Sequence, residues 1–205
     1  MAGKVVDTYM SAVARNGEAN HSSGVMAPTS LISVCIPVYC GEEHIAETIR
    51  SVLAQTLGDF ELVIIDNASP DGTARVIATF DDPRIRYVRN PTNLGPEDNY
   101  SKCLSEARGK YFKLVPHDDL LHPDCLRRQV EILDGDTAGD IALVFCARRI
   151  INGAGLPQMV RGYPGKRAGR ISAASVIRQC VRHGTNLIGE PAGVMMRRAL
   201  AESVG

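Results

Sequence analysis

A chain of 205 residues can build one sizeable core and a small appendage, and is too short for two full domains. Basic and acidic side chains balance at 23 each, which removes any general attraction to nucleic acid or to an anionic membrane surface, so phosphate recognition has to be local. The six cysteines are scattered, form no Cys-x-x-Cys pair and fall mostly in apolar segments, as reduced core residues of a cytoplasmic protein do.

Residues 1–30 mix Gly, Ser, Asn, Ala and Thr without a sustained apolar core. They are expected to be a flexible segment lacking the hydrophobic region of a secretion signal, with a helical turn or two over Val5–Ala14. No apolar run reaches the roughly 18 residues a membrane-spanning helix needs. From Leu31 the chain alternates strand and helix signals, the pattern of a parallel sheet covered by crossover helices. Leu31–Val38 is nearly continuously apolar, as in a strand buried on both faces. Glu43–Leu53 has Ile45, Ile49 and Leu53 along one helical face, with Gly58 beyond its end.

Phe60–Ile65 is the second strand, and Ser69-Pro70-Asp71-Gly72-Thr73 is turn chemistry leading into a short helix over Ala74–Phe80. Ile85–Arg89 follows as a third strand, Pro96–Ala107 as a helix opened by proline, and Tyr111–Val115 as a fourth strand. Pro123–Leu133 reads as a helix, Ile141–Ala147 as a fifth strand, Asn152–Gly155 as a tight turn, and Ser172–His183 as a last helix.

Four polar clusters follow apolar runs: Pro37-Val38-Tyr39, Asp66-Asn67-Ala68-Ser69, Asn90-Pro91-Thr92-Asn93 and His117-Asp118-Asp119. If the runs are parallel strands, all four lie at one carboxyl edge, where open α/β sheets bind nucleotides and metal ions. The adjacent acids Asp118 and Asp119 repel one another unless a cation offsets them. Mg²⁺ or Mn²⁺, which takes one or two carboxylates plus phosphate and water, suits the pair; the plain alternative is a solvated loop capping the next helix. Asp66 and Asn67 can match the hydrogen-bonding edge of a base, or close the strand in an Asx-turn. Tyr39 can equally be strand-end packing, and Asn93 a turn residue.

Other chemistries lack their frames. His117 and His122 are five apart and have no His-x-x-x-His partner, which argues against zinc. Gly-x-Gly-x-x-Gly, the P-loop and Gly-x-Ser-x-Gly are all missing, which removes the main support for a dinucleotide oxidoreductase, a P-loop NTPase and a serine hydrolase.

The segment Ile32–Tyr39 with Glu42-Glu43, then Ser51–Thr56, Phe60–Thr73, Asn93-Leu94-Gly95, Ala107–Tyr111 and His117-Asp118-Asp119, resembles glycosyltransferase family 2 in order and spacing over about residues 31–135. The resemblance implies a GT-A fold: a Rossmann-like, mostly parallel sheet flanked by helices over residues 31–205. It implies a nucleotide-sugar site of Pro37, Val38, Tyr39, Glu43, Asp66, Asn67, Asn93, His117 and Asp118. Asp119 would ligate Mn²⁺ or Mg²⁺. Many relatives have Asp where this chain has Asn67.

Asn186–Pro191 and Val194–Arg198 look like the acceptor-side region of a family branch whose acidic base follows some way downstream. The resemblance therefore puts the usual catalytic base beyond Gly205, and the chain is expected to be incomplete at its C-terminus. Glu190 is the nearby acid available as catalytic base, or else a structural partner of Arg197. The expected activity is inverting transfer of a sugar from a nucleoside diphosphate donor to a glycan, lipid-linked or other hydroxyl acceptor. The alternative is a truncated relative that binds nucleotide sugar without transfer; a nucleotidyltransferase lacks its Gly-rich basic loop. Arg148-Arg149, Arg161, Lys166-Arg167 and Arg170 can meet an anionic acceptor or simply form a solvated loop. The expected location is cytoplasmic, compatible with peripheral association at the inner face of the membrane, with no nucleic-acid partner.

Overall fold

The computed structural model describes residues 4–14, 30–164 and 168–204. Its strands are β1 (Lys4–Ala14), β2 (Ile32–Val38), β3 (Phe60–Asp66), β4 (Ile85–Arg89), β5 (Tyr111–Leu114), β6 (Asp119–Leu121), β7 (Ile141–Ile151), β8 (Pro157–Arg161), β9 (Gly169–Ser172) and β10 (Val194–Arg197). Helices α1 (Ile45–Leu53), α2 (Thr73–Ile77), α3 (Pro96–Glu106), α4 (Cys125–Asp134), α5 (Ala173–His183) and α6 (Arg198–Val204) connect or follow them, with a 3₁₀ turn over Pro191–Gly193.

The strands form one mixed sheet in the order β4-β3-β2-β5-β10-β7-β1-β6, with β8 on β7 and β9 on β1. The half that carries the sequence clusters, β4-β3-β2-β5, is wholly parallel. Antiparallel pairing begins at β10, which lies between β5 and β7.

Every residue of β2 is buried, and side-chain alternation divides the core between its two faces. Val34 and Ile36 join Ile45 and Ile49 of α1 and Leu126 and Leu133 of α4 in the larger cluster. Cys35, with Val63 and Ile65 of β3, packs instead on Cys103 of α3 and Ala201 of α6. A third cluster, Val13, Phe145, Ile171 and Val176, seats α5.

The helical turn expected over Val5–Ala14 is replaced by β1, which pairs with β7 along most of its length. The remainder of the segment expected to be flexible, residues 1–3 and 15–29, lies outside the described residues. At the other terminus α6 runs to Val204, and Gly205, beyond which the usual base is expected, also lies outside the described residues. The expected fifth strand over Ile141–Ala147 extends to Ile151, where the Asn152–Gly155 turn starts the β7–β8 hairpin. β6, β8, β9, β10 and α6 have no counterpart in the sequence reading. They are short, and β8 begins with proline and is exposed throughout, so no apolar alternation marks it.

Cys35, Cys103, Cys125 and Cys146 are buried, whereas Cys40 is exposed at the end of β2. No helix among the described residues is long and apolar enough to cross a membrane.

Candidate functional site

Parallel pairing brings the four clusters to one edge, and hydrogen bonds continue the ladder past the strand ends. Asn67 N–H donates to Val38 O, Asn90 N–H to Asp66 O and Val115 N–H to Cys35 O, each at 2.8 Å. Beyond β2 and β3 the chain turns sharply through left-handed backbone at Cys40 (φ 54°) and Ala68 (φ 61°), conformations that non-glycine residues hold only when surrounding contacts fix them. Those contacts are present. Cys40 N–H donates to Ser69 Oγ at 3.0 Å, Gly41 N–H to Thr73 Oγ1 at 2.8 Å and Glu42 N–H to Asp71 Oδ2 at 3.2 Å. Gly41 is required for close approach: a Cβ there would overlap Val38 Cγ2 and lie 3.0 Å from the His117 ring.

The edge encloses a cavity of about 320 Å³. Pro37, Val38, Tyr39, Asn67, Asn93 and His117 line it, joined by Pro96, Asn99 and Tyr100, which the sequence reading missed. A larger cleft of about 870 Å³ lies elsewhere, beside α4 and β9. Its charged walls are closed on partners, Arg127 on Asp124 and Glu131 and Arg170 on Asp136, and none of the predicted site residues lines it.

Asp66 sits behind the cavity wall. It is fully buried, and its carboxylate accepts from Ser69 N–H at 2.8 Å, Tyr87 OH at 2.7 Å and Arg89 Nη1 at 2.9 Å. Asn67 holds the opposite loop: its Nδ2 donates to Asn93 Oδ1 at 2.8 Å and Gly95 O at 3.1 Å, while its Oδ1 accepts from Leu94 N–H and Asn90 Nδ2, both at 2.9 Å. Asn90 also donates to Asn99 Oδ1 at 3.0 Å. Asn99 was discoverable, because it shares the buried face of α3 with Cys103 four residues on, where an apolar residue is the default. Glu43 is exposed, 3.9 Å from His44, and does not line the cavity, whereas Glu42 accepts from Gly72 N–H at 2.8 Å and Arg75 at 3.0 Å.

On the other wall His117 is half-buried, and burial depresses its pKa below the usual imidazole value, partly offset by Asp118. Asp118 is half-buried and Asp119 buried, at the head of β6. The Tyr100 phenol is pushed up first by burial, then by Cys103 and by the negative charges of Asp118, Asp119 and Glu190. Three carboxylates from two distant segments thus act on one phenol in the cavity wall. No group of three or more His, Cys, Asp and Glu side chains converges among the described residues. A buried carboxylate with an acidic neighbour fits Mg²⁺ or Mn²⁺ completed by phosphate oxygens and water, rather than an all-protein cage.

Glu190 opens the 3₁₀ turn, half-exposed, with its carboxylate 3.9 Å from Arg148 Nη2. The Arg197 partner expected for it is instead bound to Asp136 at 3.1 Å. The basic stretch is divided in the same way. Arg148 is buried against Gly189 and Glu190, Arg170 bonds Asp136 at 2.5 Å, and Lys166 and Arg167 lie outside the described residues.

The chain is similar to several known proteins. An uncharacterized Mycobacterium tuberculosis protein, MT1568, is 35% identical over 195 residues, covering 92% of this chain and 60% of the relative. The putative glycosyltransferase EpsE of Bacillus subtilis is 37% identical over 106 residues, 50% of this chain and 38% of the relative. The succinoglycan biosynthesis protein ExoO of Rhizobium meliloti is 32% identical over 103 residues, 50% of this chain and 30% of the relative. The chain therefore spans less than two thirds of each of these proteins. Among solved structures, S. aureus TarS 1-349 in complex with UDP-GlcNAc aligns at a TM-score of 0.49 and 26% identity, over 51% of this chain and 31% of that one. The Pyrobaculum calidifontis mannosyltransferase PcManGT, in complex with GDP-Man and Mn²⁺, aligns at 0.49 and 25%, over 60% and 38%. The sequence model described as Glycosyl transferase family 2 matches residues 33–205, and the chain belongs to that family.

Proposed function

We propose that this chain carries the donor-binding half of a metal-dependent, inverting glycosyltransferase that moves a sugar from a nucleoside diphosphate sugar to a hydroxyl of a glycan or lipid-linked acceptor. The observation that carries the reading is the convergence of Pro37, Val38, Tyr39, Asn67, Asn93 and His117 on one cavity; Asp118 and Asp119 follow His117 directly in the chain but are not among its lining residues. In this reading the nucleoside lies between the β2 end and the Asn67–Asn93 loop, and Asp66 shapes that wall from behind. Asp118 contacts the sugar or ribose. Asp119, with Asp118 beside it, would hold Mn²⁺ or Mg²⁺, which would supply positive charge to offset that of the diphosphate.

Glu190 is the carboxylate available to take the acceptor proton. Its carboxylate lies 3.9 Å from the Arg148 guanidinium, and this engagement with protein supports the second reading, a chain that binds donor without transfer. Likeness to the succinoglycan biosynthesis protein supports a role in polysaccharide assembly.

Calorimetric titration with UDP, dTDP and GDP, each with and without Mn²⁺, tests the donor site. Metal-dependent binding of one nucleotide, weakened at least tenfold by Asp119→Ala, is the expected result. Equal binding by wild type and variant, or none by a chain shown to be folded by circular dichroism, overturns the assignment.

A further inference from the structure

Lys113 lies in β5 at the centre of the sheet and is fully buried, and among the described residues its ammonium bonds a carboxamide and backbone carbonyls. Its ammonium donates to Gln129 Oε1 of α4 at 3.0 Å, to Ala192 O at 2.5 Å and to Val194 O at 3.2 Å. The three donors meet a carboxamide and two carbonyls, Ala192 in the turn that Glu190 opens and Val194 at the head of β10, and the nearby Cys125 thiol has its pKa lowered by Cys146 and then by the Lys113 charge. Gln129, itself fully buried, turns its Nε2 to Gly193 O at 2.9 Å, so successive carbonyls at 192, 193 and 194 are all held from one place in the core. Cys146 Sγ approaches Gly193 O at 3.4 Å from the neighbouring strand.

A buried ammonium is an expensive way to gain stability, since an apolar side chain of like shape packs there without the desolvation penalty. Its value lies in direction. Carbonyls have lone pairs at fixed angles, and an ammonium that binds two of them fixes the peptide planes between. The other end of the segment is equally constrained. Gly189 has φ 106°, a backbone conformation that L side chains rarely adopt, and Glu190 O accepts from Gly193 N–H at 2.9 Å. Between the two anchors sits Glu190, and the turn it opens packs against β6, the strand that Asp119 begins.

We propose that Lys113, with Gln129, is a positioning residue that fixes the Glu190–Val194 segment against the metal-side wall of the cavity, setting the register between the donor half and the acceptor half from inside the core. The inference rests on the donor-site reading above. It adds that β5 serves the site twice: its carboxyl end leads to the acidic pair, and its centre holds the turn that faces that pair.

Hydrogen–deuterium exchange of residues 189–195, read by mass spectrometry with and without UDP and Mn²⁺, tests it alongside calorimetry. In wild type, ligand is expected to slow exchange in this segment. In Lys113→Met, free exchange there should rise at least tenfold and the ligand-dependent protection should vanish, while the UDP dissociation constant stays within about twofold. Gln129→Met should shift both readouts in the same direction by less, and carries the test if Lys113→Met does not fold. Wild-type exchange that ignores the ligand despite measured binding, or variants whose segment remains protected, overturns the proposal. Loss of UDP affinity in step with protection also overturns it, since Lys113 would then support the whole domain. Absence of UDP binding in wild type instead sinks the donor-site reading, and the free-state exchange still reports whether the clamp exists.

Discussion

Asn67 donates its carboxamide N–H to Asn93 Oδ1 at 2.8 Å, and this bond ties the loop after β4 to the end of β3. All four hydrogen-bonding positions of the Asn67 side chain are occupied by protein. An aspartate there would set a carboxylate oxygen against Asn93 Oδ1 and Gly95 O. Asn67→Asp is therefore expected to destabilise the fold by about 1–3 kcal/mol and to weaken nucleotide binding, as measured by thermal melting and calorimetry. A variant as stable and as tight as wild type would show that the Asn93–Gly95 loop readjusts freely.

Gly109 approaches β2 more closely than any side chain allows. A Cβ would lie 2.5 Å from Ser33 N and 2.6 Å from Ile32 C, both backbone atoms of a central strand. Its N–H also donates to the buried Ser33 Oγ at 2.8 Å. Gly109→Ala should cost about 1–3 kcal/mol or more in chemical denaturation, because the backbone of β2 has no room to move aside. A change below about 0.5 kcal/mol would mean that the Arg108–Lys110 turn shifts as a unit.

Asp136 is a buried anchor for the second half of the sheet. Its carboxylate accepts from Arg170 at 2.5 Å, Arg197 at 3.1 Å and Ile141 N–H at 2.8 Å, and those bonds with the nearby guanidinium charges hold its pKa below the usual value despite burial. Asp136→Ala should destabilise by about 1–3 kcal/mol, since it leaves the Ile141 N–H without its acceptor, while Arg197 keeps the Leu133 carbonyl and the half-exposed Arg170 can turn to water. A melting temperature unchanged in this variant would show that water replaces the carboxylate.

Asp82 predicts an acid limb of stability. Arg84, through its guanidinium and its backbone N–H, lowers the Asp82 pKa to about 2 from 3.8. A carboxylate depressed on folding stabilises the native state fully above its unfolded pKa, and that contribution is lost as pH falls from about 4 through 2. The shift corresponds to roughly 2 kcal/mol before solvent screening and about half of that after it. Asp82→Asn should lower stability by that screened amount above about pH 5 and flatten the profile between about pH 4 and 2, so that variant and wild type converge at the acid end, as followed by urea denaturation.

Much of the parallel half was legible in the chain. β2 reads as a strand because burial on both faces demands a continuous apolar run, and β3, β4 and β5 follow with turn residues at each end. Short turns between strand and helix then force all the polar clusters to one edge, so Pro37, Tyr39, Asn67, Asn93 and His117 could be placed together without coordinates. Only the two periods of helix and strand and the handedness of crossovers are needed for that placement.

Contacts between distant segments were decided by packing alone. That Asp66 bonds Tyr87 and Arg89 follows from the register of β3 against β4, whereas the meeting of Glu190 with Arg148 rather than Arg197, and of Lys113 with the carbonyls of Ala192 and Val194, depends on how β10 inserts between β5 and β7. β10 is four residues long and partly exposed, so its own sequence carries too little apolar periodicity to announce a strand. Its place comes from Met195 and Met196 packing into opposite faces of the core, a preference set by the neighbouring strands. The sequence thus determined which residues gather at the sheet edge. Tertiary structure decided which of them face the cavity and which are spent holding it, because that depends on partners scores of residues away.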